Sequence, residues 1–138
     1  MDNVHDWMND LVVFIDPDSL VIDALHIMRR RYINSLITKK TSSSPEYGII
    51  TSIDICDKIV AQERDPAKIK VFEVMSTPLI TVSPDLKVIE CARLMKEKRI
   101  HHLPVANESG EIIGMISAND FLVIAEAGIH GLGQRSLS

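Results

Sequence analysis

The chain has 138 residues, of which 46% are hydrophobic and 25% are charged, and its formal net charge is −4. This length suits one domain or two small cores, and the composition is that of a folded globular protein rather than a disordered one. The negative net charge gives no general attraction to nucleic acid or anionic lipid, so neither is expected as a bulk partner.

Nothing in the sequence suggests a membrane span or a targeting signal. No apolar run approaches the roughly 20 residues that cross a bilayer. The chain begins Met1-Asp2 and lacks a basic start followed by an apolar stretch. Its cysteines, Cys56 and Cys91, have no metal-site spacing and are expected to be buried free thiols. We therefore expect a cytoplasmic protein without a bound metal.

Taken in chain order, the residues predict one set of elements that occurs twice. A strand at 11–15 is followed by a helix opened by Pro17-Asp18, whose apolar residues recur on one helical face. Strands at 35–38 and 47–51 come next, and then a helix at about 54–62. The second set consists of a strand at 79–82, a helix opened by Pro84-Asp85, strands at 103–105 and 112–117, and a helix at 120–127.

The two sets align residue by residue. Met28 and Leu36 return 67 positions later as Met95 and Leu103, and the offset becomes 66 after a loop at 39–48, where the first copy has one extra residue. Internal repetition of this kind indicates a duplicated structural unit. The predicted boundaries are a first repeat at 4–62, a linker at 63–70, a second repeat at 71–127 and a flexible tail at 128–138.

The clearest repeated motif is a glycine, two apolar residues, a hydroxyl residue, two variable residues and an aspartate. It reads GIITSID at 48–54 and GMISAND at 114–120. A hydroxyl residue three positions before an acid forms a capping box, in which both side chains bond to backbone N–H groups at a helix start. The same groups suit a ligand, because a helix N-terminus favours phosphate and a carboxylate accepts both hydroxyls of a ribose. A glycine lets such a ligand approach the backbone. The motif alone leaves both interpretations open.

In order and spacing, these elements and motifs resemble the CBS domain, and the two copies together resemble a Bateman module. The likeness runs from Val4 to about Ala127 and includes IHHLPV at 100–105, which is similar to a strand signature of that family. The first copy, INSLIT at 33–38, lacks the proline and both histidines. The resemblance implies a mixed α/β (α+β-type) fold: a tandem CBS domain pair with pseudo-two-fold symmetry, each repeat a small sheet packed against two helices.

The resemblance also implies where a ligand binds. Adenosyl ligands of this family lie in the cleft between the two repeats, with the aspartate on the ribose and the hydroxyl directed toward phosphate. By position, these roles fall on Thr51 and Asp54 in one site and on Ser117 and Asp120 in its counterpart.

Further contacts follow from the same resemblance. The adenine contacts made by the first strand of each repeat fall on Val13 and Ile80. His101 and His102 match positions where the family often carries a phosphate-binding His or Arg, whereas the first copy has Asn34 and Ser35 there.

No catalytic constellation is visible, so the predicted function is that of a non-enzymatic sensor. It would bind an adenine nucleotide, AMP in preference to ATP or ADP, and transmit a conformational or oligomeric change to an effector protein. The family expectation is a homodimer of CBS pairs, formed through apolar helical faces that include Ile55, Ile59, Phe121 and Ile124. Two alternatives stay open: a ligand-independent scaffold in which the repeated motifs are only helix caps, and a binder of S-adenosylmethionine-type ligands.

Overall fold

A computed structural model describes the backbone of residues 2–137 and the side chains of residues 2–128. It confirms the mixed fold in which one order of elements occurs twice. In chain order the elements are a 3-10 turn (Val4–Asp6), β1 (Phe14–Ile15), α1 (Val21–Arg31), β2 (Ser35–Thr38), β3 (Gly48–Thr51), α2 (Ser52–Ile55), a π turn (Cys56–Val60), a second 3-10 turn (Val71–Glu73), α3 (Val88–Lys98), β4 (His102–Ala106), β5 (Ile112–Ser117) and α4 (Asp120–Leu137).

The chain folds into two compact units that do not coincide with the sequence repeats. The first unit is Val12–Leu79, and the second unit joins Met1–Leu11 to Ile80–Ser138. In the first unit β1 is parallel to β2, which is antiparallel to β3; in the second unit β4 and β5 form an antiparallel pair. Each unit therefore builds its sheet around one antiparallel pair of strands.

The prediction of a strand at 79–82 is wrong except at the last residue. Val82 forms a single parallel bridge, in which its N–H donates to the carbonyl of Pro104 and its own carbonyl accepts from Ala106 N–H, both at 3.0 Å. A strand needs several such pairs in succession, and only residue 82 reaches β4.

In each unit, a segment from the other sequence repeat pairs with the sheet. Ser76 pairs with Ile49 of β3 in the first unit, and Asn9 pairs with Met115 of β5 in the second. Segment 69–77, from the second repeat, thus belongs to the first unit, and segment 2–9, from the first repeat, belongs to the second unit. We call these two the exchanged segments. The residues predicted as a linker at 63–70 take part in this exchange, because Lys70 forms a bridge in the first unit.

Gly48 and Gly114 make room for these exchanged segments. A Cβ at Gly48 would lie 2.8 Å from Thr77 Cγ2, and one at Gly114 would lie 2.5 Å from Met8 Sδ and 3.1 Å from the carbonyl oxygen of Asn9. The chain itself fills the space on the Cβ side of both glycines, and their predicted role in admitting a ligand to the backbone stays a prediction.

The exchanged segments also cap the long helices. α1 and α3 start at Val21 and Val88, later than the Pro-Asp pairs predicted to open them, and neither has a side-chain cap. Val21 N–H donates to the carbonyl of Ile69 at 2.8 Å, and Val88 N–H donates to that of Asp2 at 3.0 Å. Backbone carbonyls satisfy these N-terminal donors, so no Ser or Asp is needed at the helix start.

Both long helices end in the same unusual way. Tyr32 and Arg99 follow the last helical residues and adopt the left-handed conformation, with φ of 54° and 55°. A residue with a Cβ is strained there, which is why glycine is common at this position. Tyr32 is also 95% exposed, so no packing of its ring compensates for the strain.

Each unit has its own hydrophobic core. The first core is formed by Ile15, Val21, Ala24, Met28, Leu36, Ile50, Ile59, Val71 and Val74. The second core is formed by Val4, Val82, Cys91, Met95, Leu103, Val105 and Ile116. The exchanged segments supply Val71 and Val74 to one core and Val4 to the other.

Of the apolar residues predicted to form dimer contacts, only Ile59 is buried and so excluded from such a contact, and the dimer role of the other three stays a prediction. Ile59 is 1% exposed, and Ile55, Phe121 and Ile124 pack half-buried against the cores. Their periodicity marked a core-facing stripe, which the sequence could not distinguish from a docking face. Four exposed apolar side chains on α2, the π turn and α4 are neighbours of these residues: Ile53, Val60, Leu122 and Val123.

The prediction that both cysteines are buried is confirmed for one of them and wrong for the other. Cys91 is buried as predicted, and burial raises the pKa of its thiol to about 11. Cys56 is exposed, because Ile55 and Ile59 form the core-facing side of its helical stretch.

The backbone of α4 continues to Leu137 through the stretch predicted as a flexible tail. Its glycines lower helix propensity, yet no proline interrupts it; the side chains beyond position 128 lie outside the described residues. Over residues 2–137, no helix has both the length and the apolar character needed to cross a membrane.

Candidate functional site

The first repeated motif forms a complete capping box at the N-terminus of α2. Asp54 N–H donates to Thr51 Oγ1 at 3.3 Å, and Asp54 Oδ2 accepts from Thr51 N–H at 2.9 Å and from the Thr51 hydroxyl at 3.2 Å. Asp54 is only 9% exposed. The structural interpretation of this motif is thus correct: hydroxyl and carboxylate bond to each other and to their own helix start.

Lys58 holds the other oxygen of the same carboxylate. Its Nζ lies 2.9 Å from Asp54 Oδ1 and donates to the carbonyl of Val74 at 2.7 Å. Val74 comes from the exchanged segment, so this ammonium group joins the helix start to that segment. Both oxygens of Asp54 are therefore engaged within the first unit.

The second motif has the same cap with fewer partners. Asp120 Oδ2 accepts from Ser117 N–H at 2.7 Å and from the Ser117 hydroxyl at 3.3 Å. Both side chains are half-buried. Within the described part of the chain, no donor is paired with Asp120 Oδ1. The second carboxylate can therefore accept hydrogen bonds that the first cannot.

The two predicted phosphate-binding histidines lie beside the second motif. His102 begins β4 and pairs directly with Ser117 of β5, and the carbonyl of His101 accepts from Ala118 N–H at 2.9 Å. His101 is exposed and His102 is half-buried. The second unit thus places the hydroxyl and carboxylate of the motif next to the backbone of two histidines, at the end of one strand pair.

The two predicted adenine-contact positions lie in different environments. Val13 is half-buried against the first core, and its carbonyl accepts from Ile37 N–H at 3.0 Å. Ile80 belongs to the second unit and is 43% exposed. Val13 therefore has a packing role, whereas Ile80 keeps apolar surface that a ligand can contact.

Each unit also has an open groove beside its long helix, with apolar and basic side chains along it. The groove of the first unit has a volume of about 980 Å³, and that of the second about 450 Å³. The basic residues are His26, Arg29 and Arg30 in the first groove and Lys96, Arg99 and His101 in the second. Among the side chains of residues 2–128, no group of three or more His, Cys, Asp or Glu could hold a metal ion.

Lys58 is the residue that the sequence analysis missed. An acid followed four positions later by a lysine is the spacing of a helical ion pair, so Asp54 with Lys58 carried the signal. The repeat offset would also have shown its absence from the second copy, because position 124 is isoleucine.

Comparison with known proteins agrees with this architecture. The CBS domain family model matches residues 4–61 and 71–126. A curated relative, the CBS domain-containing protein CBSX3, mitochondrial, of Arabidopsis thaliana, is 35% identical over 82% of this chain and 54% of its own length. This chain spans about half the length of the first curated relatives it matches.

Two solved structures show the same fold. The hexameric CBS-CP12 protein from bloom-forming cyanobacteria has a TM-score of 0.82 at 33% identity, covering 88% of this chain and 70% of that one. The CBS domain pair of protein MJ0100, solved in complex with 5′-methylthioadenosine and S-adenosyl-L-methionine, has a TM-score of 0.77 at 25% identity, covering 89% of this chain and 98% of that one.

Proposed function

This chain belongs to the CBS domain family, and we propose that it is a non-enzymatic regulatory module that binds an adenine nucleotide, with AMP preferred to ATP and ADP. The observation that carries the proposal is the second motif, where a half-buried hydroxyl and carboxylate lie beside two histidines. The carboxylate suits a ribose diol and the imidazoles suit a phosphate. Support for the adenosyl part comes from the MJ0100 pair, which was solved with two adenosyl ligands.

The nearby basic groups favour a phosphorylated ligand over the uncharged 5′-methylthioadenosine. Arg99, His101 and His102 lie within a few residues of one another at the start of β4. A phosphate gains charge-assisted hydrogen bonds from such groups, which the methylthio group of 5′-methylthioadenosine cannot accept. The predicted location between the two repeats, and a cytoplasmic setting, stay predictions.

A panel of AMP, ADP, ATP, 5′-methylthioadenosine and S-adenosylmethionine tests the proposal. A ligand present at 100 times its Kd adds about 2.7 kcal/mol to the free energy of unfolding, which a thermal-shift assay resolves. We expect AMP to give the largest shift and Asp120→Ala to abolish it. Glu97→Gln, an exposed change on α3, is the matched control and should leave the shift intact.

The second part of the proposal is that ligand binding acts through a change in how copies of the module assemble. Exposed Leu122 and Val123 on α4, at 71% and 58%, and Val60 at 68% give each module apolar surface that a second copy can cover. We propose a homodimer whose arrangement, or whose contact with an effector protein, changes when ligand binds. Light scattering with and without AMP measures this, with Leu122→Glu expected to favour the monomer.

The other candidate function is a ligand-independent scaffold. The capping role of Thr51 and Asp54 favours it, since these groups bond within their own unit. The hexameric cyanobacterial relative shows that a CBS protein of this fold can form larger assemblies. No thermal shift with any of the five ligands, together with stable self-association, would select the scaffold.

A further inference from the structure

The two repeated motifs share a cap but differ in the group that faces the second carboxylate oxygen. In the first unit, Asp54 Oδ1 receives the Lys58 ammonium at 2.9 Å. In the second unit, the residue four positions after Asp120 is Ile124, which packs half-buried against the second core. The duplication therefore kept the aspartate and changed the group able to neutralise it.

Lys58 is held in place from both sides. Its ammonium bonds to the carboxylate of Asp54, whose side chain is 12% exposed, and to the carbonyl of Val74 at 2.7 Å, while the Lys58 side chain itself is 38% exposed. Val74 is 1% exposed. Asp54 already accepts from Thr51 N–H, the Thr51 hydroxyl and Lys58, which leaves about one of its four acceptor sites. A ribose diol that bonds through both hydroxyls would therefore have to displace the ammonium and leave Val74 O without its donor. This displacement is unfavourable, because it leaves the carbonyl of a buried residue without a donor.

The same competition does not exist at the second motif. Within the described side chains, Asp120 Oδ1 has no donor to be displaced, and Asp120 is half-buried rather than buried. A diol that binds there adds hydrogen bonds to the carboxylate without removing any. The neighbouring residue at 124 is apolar and cannot provide a competing cation.

We propose that Lys58 closes the first motif to ligand, so that the chain binds one adenosyl ligand per copy, through Asp120. This inference rests on the proposed function and adds its stoichiometry and the residue that sets it. Asp54 then stabilises the fold, and Lys58 determines which of two similar motifs is available.

Exchanging residues 58 and 124 tests the inference, with isothermal titration of AMP as the measurement. Wild type should bind one equivalent per chain. Ile124→Lys should weaken binding at least tenfold, about 1.4 kcal/mol, because a lysine four residues after Asp120 can pair with it. Ile124→Met is the matched control, since it has a similar length without the charge, and it should bind as wild type does.

The reciprocal change should open the first motif. Lys58→Met removes the cation and should raise the stoichiometry toward two, whereas Lys58→Arg keeps the cation and should leave it at one. Circular dichroism and a melting curve establish that each variant is folded before titration.

The outcomes separate the two proposals. If wild type binds none of the five ligands of the panel, the proposed function fails and this inference fails with it. If wild type binds two equivalents, or if Asp54→Asn abolishes binding while Asp120→Asn does not, the function stands and the inference is refuted. Unchanged binding by a folded Ile124→Lys variant would refute it as well.

Discussion

Replacing Gly48 with alanine should destabilise the first unit, although alanine is normally acceptable in a strand. The added Cβ would lie 2.8 Å from Thr38 Oγ1, 2.8 Å from Thr77 Cγ2 and 3.0 Å from Met75 Sδ. Thr38 is fully buried, and its hydroxyl accepts from Gly48 N–H at 2.8 Å, so this short side chain cannot move away. The strand or the exchanged segment must move instead.

The magnitude follows from two opposing effects. Overpacking a close contact costs about 1–3 kcal/mol, and restricting the unfolded chain returns about 0.4–1 kcal/mol. We expect a net loss of about 1–2 kcal/mol for Gly48→Ala. With a urea m-value of about 1–3 kcal/mol/M, the unfolding midpoint should fall by roughly 0.5–1 M.

Gly114→Ala is the matched comparison at the equivalent position. Its nearest obstacle is Met8 Sδ at 2.5 Å, which is the far end of a flexible side chain, and the carbonyl oxygen of Asn9 follows at 3.1 Å. A methionine can rotate away more easily than a buried threonine, so the loss should stay below about 1 kcal/mol. Equal losses at the two sites, or a larger one at Gly114, would refute the view that the immobility of Thr38 sets the cost.

Four other outcomes are expected. Burial raises the pKa of Cys91 in the folded chain to about 11 from an ordinary 9.0. Because the thiol of the unfolded chain ionises first, the free energy of unfolding should fall as the pH rises from 9 to 11. In a pH series of urea melts, Cys91→Ala should remove that part of the fall. At pH 8 a thiol reagent should label exposed Cys56 long before Cys91, and equal rates would contradict the assigned burial. Tyr32→Gly should stabilise the chain by up to about 1 kcal/mol in thermal melts, because glycine adopts φ of 54° without strain; a destabilised variant would mean that the exposed ring has contacts the structure does not describe. Deleting residues 2–9 should destabilise the second unit by more than about 3 kcal/mol, since it removes fully buried Val4 and the carbonyl that caps α3. In hydrogen exchange β4 and β5 should lose protection while β2 and β3 keep theirs, and uniform loss would contradict the division into two units.

The long helices were predictable because their information is local. The apolar spacing of α1 and α3 identified Val21, Met28 and Met95 as core residues, and all three are buried. The starts of these helices were not predictable in the same way. Their caps are carbonyls of Ile69 and Asp2, which lie far away along the chain, so no local signal marks them.

The candidate site likewise has some features that the local sequence predicts and others that it does not. A hydroxyl three residues before an acid predicted the caps at Thr51 and Ser117, and both exist. Whether such a carboxylate can also accept a ligand depends on its second oxygen. For Asp54 that oxygen is occupied by Lys58, and the pairing carried a local signal in its spacing of four residues. By contrast, no local signal in the sequence predicted that Thr77 would block a Cβ at Gly48, because this contact depends on the exchanged segment.

The exchange of leading segments bears on how such a chain could arise. A molecule with only one repeat would carry a segment like 2–9 without its own partner sheet, and its helix would begin with bare N–H groups. Two such molecules could satisfy each other by trading those segments, so the single-repeat form is complete only as an intertwined pair. Fusing the copies into one polypeptide makes the trade intramolecular and independent of protein concentration.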